Sequence, residues 1–459
     1  MAIFKSNHRI KEIQISGFKS LLTKQTVSVK PLTILSGSNS SGKSSVTQTL
    51  LLLKQTIEAP YDPGALLLNG PNIKLTSANQ LLARTSTGSV RNVFSLGLVF
   101  EDNYFYQSSF KKNENVPGGF ELDQIKITSA SGEIFSLKST ATEADIDPLF
   151  DTLDDEHGIW PMLKRFSKKR KHVKFELKRS RCFFELFVFQ KNSSDEKWSP
   201  FFNTQLPGAA QVNQLLQRII HVPGLRGNPE RTYATTAVGV EFPGRFENYV
   251  ASIIKDWQDK NSIEFTQLTA QLEQLGLTGA ISAERVNDTE VELKVSRVKT
   301  TGDLRKNTLI KPHEMVSIAD VGFGVSQTLP VLVALLAARK DQIVIIEQPE
   351  LHLHPRAQTR LASIAATAIA RGVRIIVETH SSLFLLGIQT AVAKGQLKNS
   401  DVALNWFSTN EAGHTKISRG QVSEFGSIGT WPSDFMDIGL EAESAFLDAV
   451  ELRLATDLK

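Results

Sequence analysis

The chain has 459 residues, 41% of them hydrophobic and 22% charged, with 52 Lys and Arg against 48 Asp and Glu. That length exceeds one average domain and suits a head domain carrying an inserted or appended lobe. The longest apolar run, 331–338, is far short of the ~20 residues that span a bilayer; residues 1–11 lack the apolar core of a secretory signal; and the single cysteine, Cys182, cannot form an internal disulfide. These features predict a cytoplasmic protein that engages no membrane.

In chain order, residues 10–15 and 25–35 alternate apolar and polar positions and read as strands, the second running into a glycine-serine turn. Residues 44–57 follow as a helix with Val46, Leu50, Leu53 and Ile57 along one stripe. Short strands are expected within 90–100, 124–129 and 174–189, separated by polar stretches such as 107–118 and 139–156. Residues 164–181 read KRFSKKRKHVKFELKRSR and carry a charge of about +9, which leaves about −5 for the remainder. Two readings stand: a solvated face with lysines outside, or an electrostatic contact with DNA, RNA or an acidic partner. The interleaved Phe175, Phe183, Phe184, Phe187 and Phe189 fit the buried side of strands better than a base-stacking platform. Residues 246–275 read as helical with a break near 259–262, and 290–298 as a strand. An apolar helix at 327–338, buried strands at 342–346 and 373–378, and a helix at 355–370 complete the pattern. Alternating apolar strands and helices predict an α/β fold with a mostly parallel sheet.

The sequence GSNSSGKS at 37–44 fits a phosphate-binding loop in full, after an apolar strand and before a helix. Gly37 and Gly42 free the backbone so that N–H groups across Ser38, Asn39, Ser40 and Ser41 can point at phosphate oxygens, and Ser45 continues into the positive helix end. Lys43 is expected at the β and γ phosphates of a bound ATP, and the Ser44 hydroxyl on Mg²⁺. IVIIEQPELHLHP at 343–355 is an apolar strand ending in an acid, and Glu347 is the candidate second metal residue. RIIVETHS at 374–381 is a further apolar strand, after which His380 is placed to reach a γ-phosphate or an attacking water. DVGFGVSQ at 320–327 enters a helix and forms a second candidate anion nest, with Gly322, Gly324 and Ser326.

This order of parts resembles the ABC-type ATPase heads, a group that includes transporter subunits, SMC proteins, RecF and the OLD-type ATPases. GFKS at 17–20, EQPELHLHP, ETHS and the tail at 429–437 resemble bacterial AAA-type ATPases of the OLD-like group, many of them encoded in anti-phage defence operons beside a nuclease or other effector. The resemblance covers about 1–60 and 310–390 plus the tail. It implies an ABC-type head with a mostly parallel sheet, an antiparallel β lobe and an inserted α+β lobe. The expected divisions are 1–140 for the N-terminal half of the head, 141–285 for the inserted lobe, 286–400 for the C-terminal half and 401–459 for a tail subdomain. It also implies that 322–327 contacts a partner subunit's nucleotide, that 351–354 crosses a dimer interface, and that Phe18, in the first strand, lies near the adenine. LRGNPERTY at 225–233 matches a stretch common in the subgroup, and its Arg226 and Arg231 are candidates for phosphate or interface contacts, with surface ion pairs the alternative.

The sequence departs from the family pattern in three places. Gln348 stands where the catalytic Glu is usual, so either Glu350 serves as base, or hydrolysis is slow, or the chain was altered to trap ATP; the resembled subgroup often has Gln there, which favours Glu350. Gly322 stands where the signature serine is usual, leaving backbone N–H groups or Ser326 to substitute. Gln48, Gln55 and Gln80 offer no clear Q-loop glutamine. The expected function is an ATP-hydrolysing switch that dimerises, or assembles further, through Mg-ATP and controls a separate effector in anti-phage defence. A weakly hydrolysing nucleotide-gated scaffold and a RecF-like DNA-repair ATPase, contacting nucleic acid through 164–181, are the alternatives.

Overall fold

The computed structural model describes residues 9–128, 132–152, 160–168, 172–192, 197–297 and 315–429, with 444 and 447–449. Within them the chain is α/β, as expected, and is organised around one mostly parallel sheet. That sheet contains β3 (Leu32–Gly37), β11 (Ile220–Val222), β16 (Ile343–Glu347), β17 (Arg374–Glu378), β18 (Val402–Thr409) and β19 (Thr415–Gly420), in the order β11-β16-β17-β3-β18-β19. All neighbours run parallel except β19, which pairs antiparallel with β18. Its inner strands are apolar on both faces because both faces are covered. Leu32, Ile34, Val344, Ile346, Ile375 and Val377 face one core, while Leu35, Ile343, Ile345 and Ile376 face the other.

The second of these cores lies between the central sheet and an antiparallel sheet. The latter contains β1 (Ile10–Ser16), β2 (Gln25–Ser28), β4 (Val93–Phe100), β5 (Phe105–Lys112), β6 (Phe120–Thr128) and β7 (Ile134–Lys138), ordered β2-β1-β4-β5-β6-β7. Helix α1 (Lys43–Glu58) runs through this layer, with Leu50, Leu51, Leu52 and Leu53 all buried. Its buried Thr47, Thr49, Lys54, Gln55 and Thr56 are tolerated in that interior because each is hydrogen-bonded to the backbone. The first core is closed by α5 (Glu247–Asp259), α6 (Ile263–Gln274), α7 (Phe323–Ala337), α8 (Pro355–Ala370) and α9 (Ser382–Ala393). A small antiparallel sheet of β12 (Tyr233–Ala234), β13 (Ile281–Arg285), β14 (Glu290–Ser296) and β15 (Met315–Ser317) flanks these helices.

Several expectations need correction. Residues 25–35 are two strands in different sheets: Pro31 lacks the N–H that a continuous ladder needs, and the chain crosses from β2 to β3 there. The polar stretch 107–118 contains much of β5, whose Tyr106, Ser108 and Phe110 alternate inward, and 139–156 contains α2 (Glu143–Thr152). The lobe drawn at 141–285 is smaller: α2, α3 (Trp160–Ser167), β8 (Val173–Ser180), β9 (Phe183–Lys191) and β10 (Trp198–Gln205) form it, after which α4 (Ala209–Gln217) packs on α1 and β11 re-enters the central sheet. It is also not detached. Tyr104 donates to the Pro207 carbonyl at 2.9 Å, the Arg179 guanidinium pairs with Asp62 at 2.8 Å, and Arg181 donates to the Ala59 carbonyl. The boundary at 401 likewise cuts the sheet, since β18 lies directly beside β3.

The basic segment is partly consumed by these contacts. Arg179 and Arg181 anchor the lobe, Lys174 and Lys178 both pair with Glu176, and 169–171 lie outside the described residues. Phe175, Phe183 and Phe184 are buried as expected, but Phe187 and Phe189, on the face of β9 opposite Phe184, are half-buried, with the Lys178 ammonium 5.1 and 4.8 Å from their ring centroids.

Candidate functional site

The loop at 37–43 joins the C-terminal end of β3 to the N-terminus of α1, so its backbone sits at the partially positive end of that helix. Gly42 is the helix cap at φ 96, and a Cβ there would meet Thr415 Oγ1 at 2.4 Å and Ser20 Oγ at 2.7 Å. Gly37, at φ 147, lies against the Phe407 carbonyl of β18. Both positions therefore demand glycine on conformation and on space. Ser38, Asn39 and Ser40 are exposed at the loop tip, whereas Ser41 and Ser45 are buried and Ser44 is half-buried. Lys43 folds back, its ammonium donating to the Gly37 and Ser38 carbonyls at 3.1 and 2.7 Å. Burial lowers its pKa, against the nearby Glu378 carboxylate, which raises it.

A cavity of about 360 Å³ opens over this loop, lined by 40–45 with Lys19, Ser20, Gln48 and Glu378. Lys19, in the turn after β1, donates to Gln48, and burial lowers its pKa. Phe18 does not reach the cavity. It lies past the end of β1, fully buried, with its ring edge-on to Phe94 at 5.3 Å, so it packs the core instead of facing the loop.

The acids sort in a way the sequence does not reveal. Glu347 and Glu378 end adjacent parallel strands in direct register. Yet the Ser44 hydroxyl donates to Glu378 Oε1 at 2.9 Å, while Glu347 Oε1 is bonded to His221 Nε2 and Oε2 accepts from the Gly224 N–H, both at 3.2 Å. Burial raises the Glu378 pKa to about 7, with Glu347 and Glu350 repelling its charge and Ser44 and Lys43 opposing the shift. Burial also acts upward on Glu347, but the His221 bond and its charge interactions bring the net shift below the ordinary value. His221, from β11, and Glu378 are thus site residues that sequence reasoning missed. For Glu378 a signal existed, an acid closing an apolar strand just as Glu347 does. The three-residue strand around His221 is too short to show a period.

Glu350 is buried, and one of its oxygens accepts from Thr379 Oγ1 at 2.8 Å and from the His380 N–H at 2.9 Å. Burial raises its pKa. It therefore fastens the turn that carries His380, whose own pKa is lowered by burial and by the charge of Lys43. Gln348 sits at φ 44 and donates its N–H to the Glu378 carbonyl at 2.7 Å, tying the ends of β16 and β17. Lys43, Ser44, Glu347, Glu350, Glu378 and His380 are all linked through Glu378 or Lys43 at the ends of β3, β16 and β17.

Gly322, Gly324 and Ser326 are elsewhere. Gly322 caps α7, Ser326 donates to the Phe323 carbonyl at 3.2 Å, and both glycines line a separate cavity of about 350 Å³ with Arg297 and Leu277. Phe323 is 49% exposed and lies over the His352 ring at 5.9 Å. His354 caps α8, its Nδ1 accepting from the Arg356 N–H, so these histidines are occupied in packing and capping. Arg226 is not a surface contact. Its guanidinium is buried and donates to the Gln327 and Glu347 carbonyls, each at 2.9 Å, bracing the start of α7 against the end of β16. Arg231 forms an exposed ion pair with Asp320. Gln55 is buried and bonded to the backbone of 67–73, while Gln80 bonds Thr76.

The residues present suit a magnesium nucleotide: a nest of N–H groups, an ammonium, a hydroxyl and a carboxylate converge, and Mg²⁺ needs few protein ligands beside phosphate oxygens and water. Among the described residues no cluster of three His, Cys, Asp or Glu is arranged to hold a metal alone, and no helix is long and apolar enough to cross a membrane.

No functionally curated protein matches the chain. Solved structures that it resembles include an SMC head bound to the C-winged helix domain of ScpA, at 11% identity and TM-score 0.43, covering 91% of this chain and 98% of that one. Others are the SMC head domain from Thermotoga maritima, at 11% identity and TM-score 0.35, covering 90% and 98%, and the Pyrococcus furiosus Smc head with an extended coiled coil bound to the C-terminal domain of ScpA, at 10% identity and TM-score 0.43, covering 96% and 99%. Residues 9–385 match the AAA ATPase domain family, which takes in both strands that flank the phosphate loop's acids and the loop itself. With that match spanning most of its length, the chain belongs to the AAA ATPase domain family.

Proposed function

We propose that this ATPase is an ABC-type switch: two copies close head-to-head on Mg-ATP and thereby control a separate effector protein. One observation carries the reading. The chain holds two surfaces that do not share a cavity within one copy, that over 40–45 and that at the N-terminus of α7 by Gly322 and Gly324. A second copy facing the first would complete each. The exposed Phe323, its ring tilted against that of His352, lies beside those two glycines and offers the interface an apolar anchor.

In this reading Lys43 leaves the Gly37 and Ser38 carbonyls for the β and γ phosphates, and Ser44 and an acid hold the metal. Mg-ATP supplies the γ-phosphate whose presence favours closure. His380, held by Glu350 and near Lys43, reports on that phosphate through the turn after β17. Gln348 cannot accept a proton, while Glu350 has one oxygen engaged by Thr379 and the His380 N–H and the other without a hydrogen-bond partner, so Glu350 is the acid left to serve as base. An effector role in anti-phage defence rests on the resemblance of EQPELHLHP and ETHS to the OLD-like group.

The test is the mass of the purified chain in solution with Mg-ATP, with Mg-ADP and without nucleotide. The reading requires dimers or larger assemblies with ATP alone, lost in Lys43→Ala and in Gly324→Trp. ATP-independent mass, or assembly that survives both variants, defeats it.

A further inference from the structure

We infer that Glu378, not Glu347, is the carboxylate that completes the metal half of the phosphate site. The inference rests on reading 37–44 as a nucleotide site and names the acid that reading leaves open. Parallel strands bring both acids to the same edge, so placement at a strand end does not separate them. Their hydrogen bonds do. Both oxygens of Glu347 are engaged from the β11 side, by the His221 ring and the Gly224 N–H, which draws the carboxylate away from the loop. It lines no part of the cavity over 40–45.

Glu378 does line that cavity, and its Oε1 holds the hydroxyl of Ser44. Its second oxygen, Oε2, is buried without any hydrogen-bond partner, in a side chain only 5% exposed. A buried carboxylate oxygen with no donor is costly and needs an explanation. A cation beside Ser44 provides one, because the same carboxylate would then meet the metal directly or through its water. Lys43 stands close enough to interact with this acid but donates to carbonyls instead, so it does not satisfy Oε2. His221 becomes a positioning residue that keeps Glu347 turned aside.

The experiment measures binding of a fluorescent ATP analogue to the full chain in EDTA and in excess Mg²⁺, and the affinity of the nucleotide complex for Mn²⁺ from the free-ion electron paramagnetic resonance signal. Glu378→Gln, which keeps the shape and an acceptor for Ser44, is expected to weaken Mn²⁺ at least about tenfold without weakening nucleotide binding in EDTA, where loss of the negative charge relieves repulsion. Glu378→Asp recovers part of that loss, and Glu347→Gln changes Mn²⁺ affinity by less than about threefold. A tenfold loss confined to Glu347→Gln, or equal losses in both amides, overturns the assignment. If the wild-type chain binds no nucleotide in either condition, the nucleotide site itself fails and the assignment with it.

Discussion

Replacing Arg226 by methionine tests whether the brace between α7 and β16 holds the site together. Methionine retains much of the apolar stem but removes every donor, so the Gln327 and Glu347 carbonyls lose the guanidinium. Gln327 lies inside α7, where the Val331 N–H still serves its carbonyl, so the Glu347 carbonyl is the one left short, at a cost of about 1–3 kcal/mol. That loss is concentrated where the three segments meet. Amide hydrogen exchange reads this directly. Residues 224–230, 323–330 and 346–350 should exchange about 5- to 150-fold faster in Arg226→Met, while β4 and β5 keep their protection. Arg226→Lys, which reaches one carbonyl at a time, should fall between. Unchanged protection in all three segments would show that the brace contributes nothing and that α7 is held by its apolar face alone.

Two further outcomes follow from the geometry. Gly42→Ala forces a side chain into φ 96 against Thr415, and should cost about 1–3 kcal/mol and weaken nucleotide binding at least tenfold, measured by titration with the fluorescent analogue; normal affinity would refute the account of the loop. Cys182 is fully buried with its thiol pushed up to about 12, so at pH 8 only about one molecule in ten thousand carries the thiolate. Ellman's reagent should leave the native chain unmodified for an hour and label it fully in guanidinium; rapid native labelling would contradict the burial.

Much of the frame was legible in the amino-acid sequence because local chemistry and final structure agree there. The loop at 37–44 has its strand, its glycines and its helix in sequence, and α8 begins at Pro355, where proline suits a first turn, and ends at Ala370 as its apolar stripe does. What stayed hidden depended on distant partners. Strand β5 reads as polar because Ser108 and Ser109 are buried by neighbours on either side, not by their own character. Phe18 looks like a free aromatic until Phe94 is placed against it. Glu347 and Glu378 end similar strands, and they are told apart by distant partners, His221 and Gly224 on the one and Ser44 on the other.

The placement of β3 has a consequence for how the protein is made. Both of its ladder edges are filled by strands from far later in the chain, and its Ser36 hydroxyl donates to a carbonyl 343 residues away. At ordinary translation speeds the nascent phosphate loop and its apolar strand wait roughly 20–70 s for β17 and β18 to emerge. During that interval the strand is a bare, sticky edge that nucleotide cannot yet protect, which makes the newborn chain a client for holding factors and makes truncation before β18 a route to aggregation rather than to a smaller ATPase.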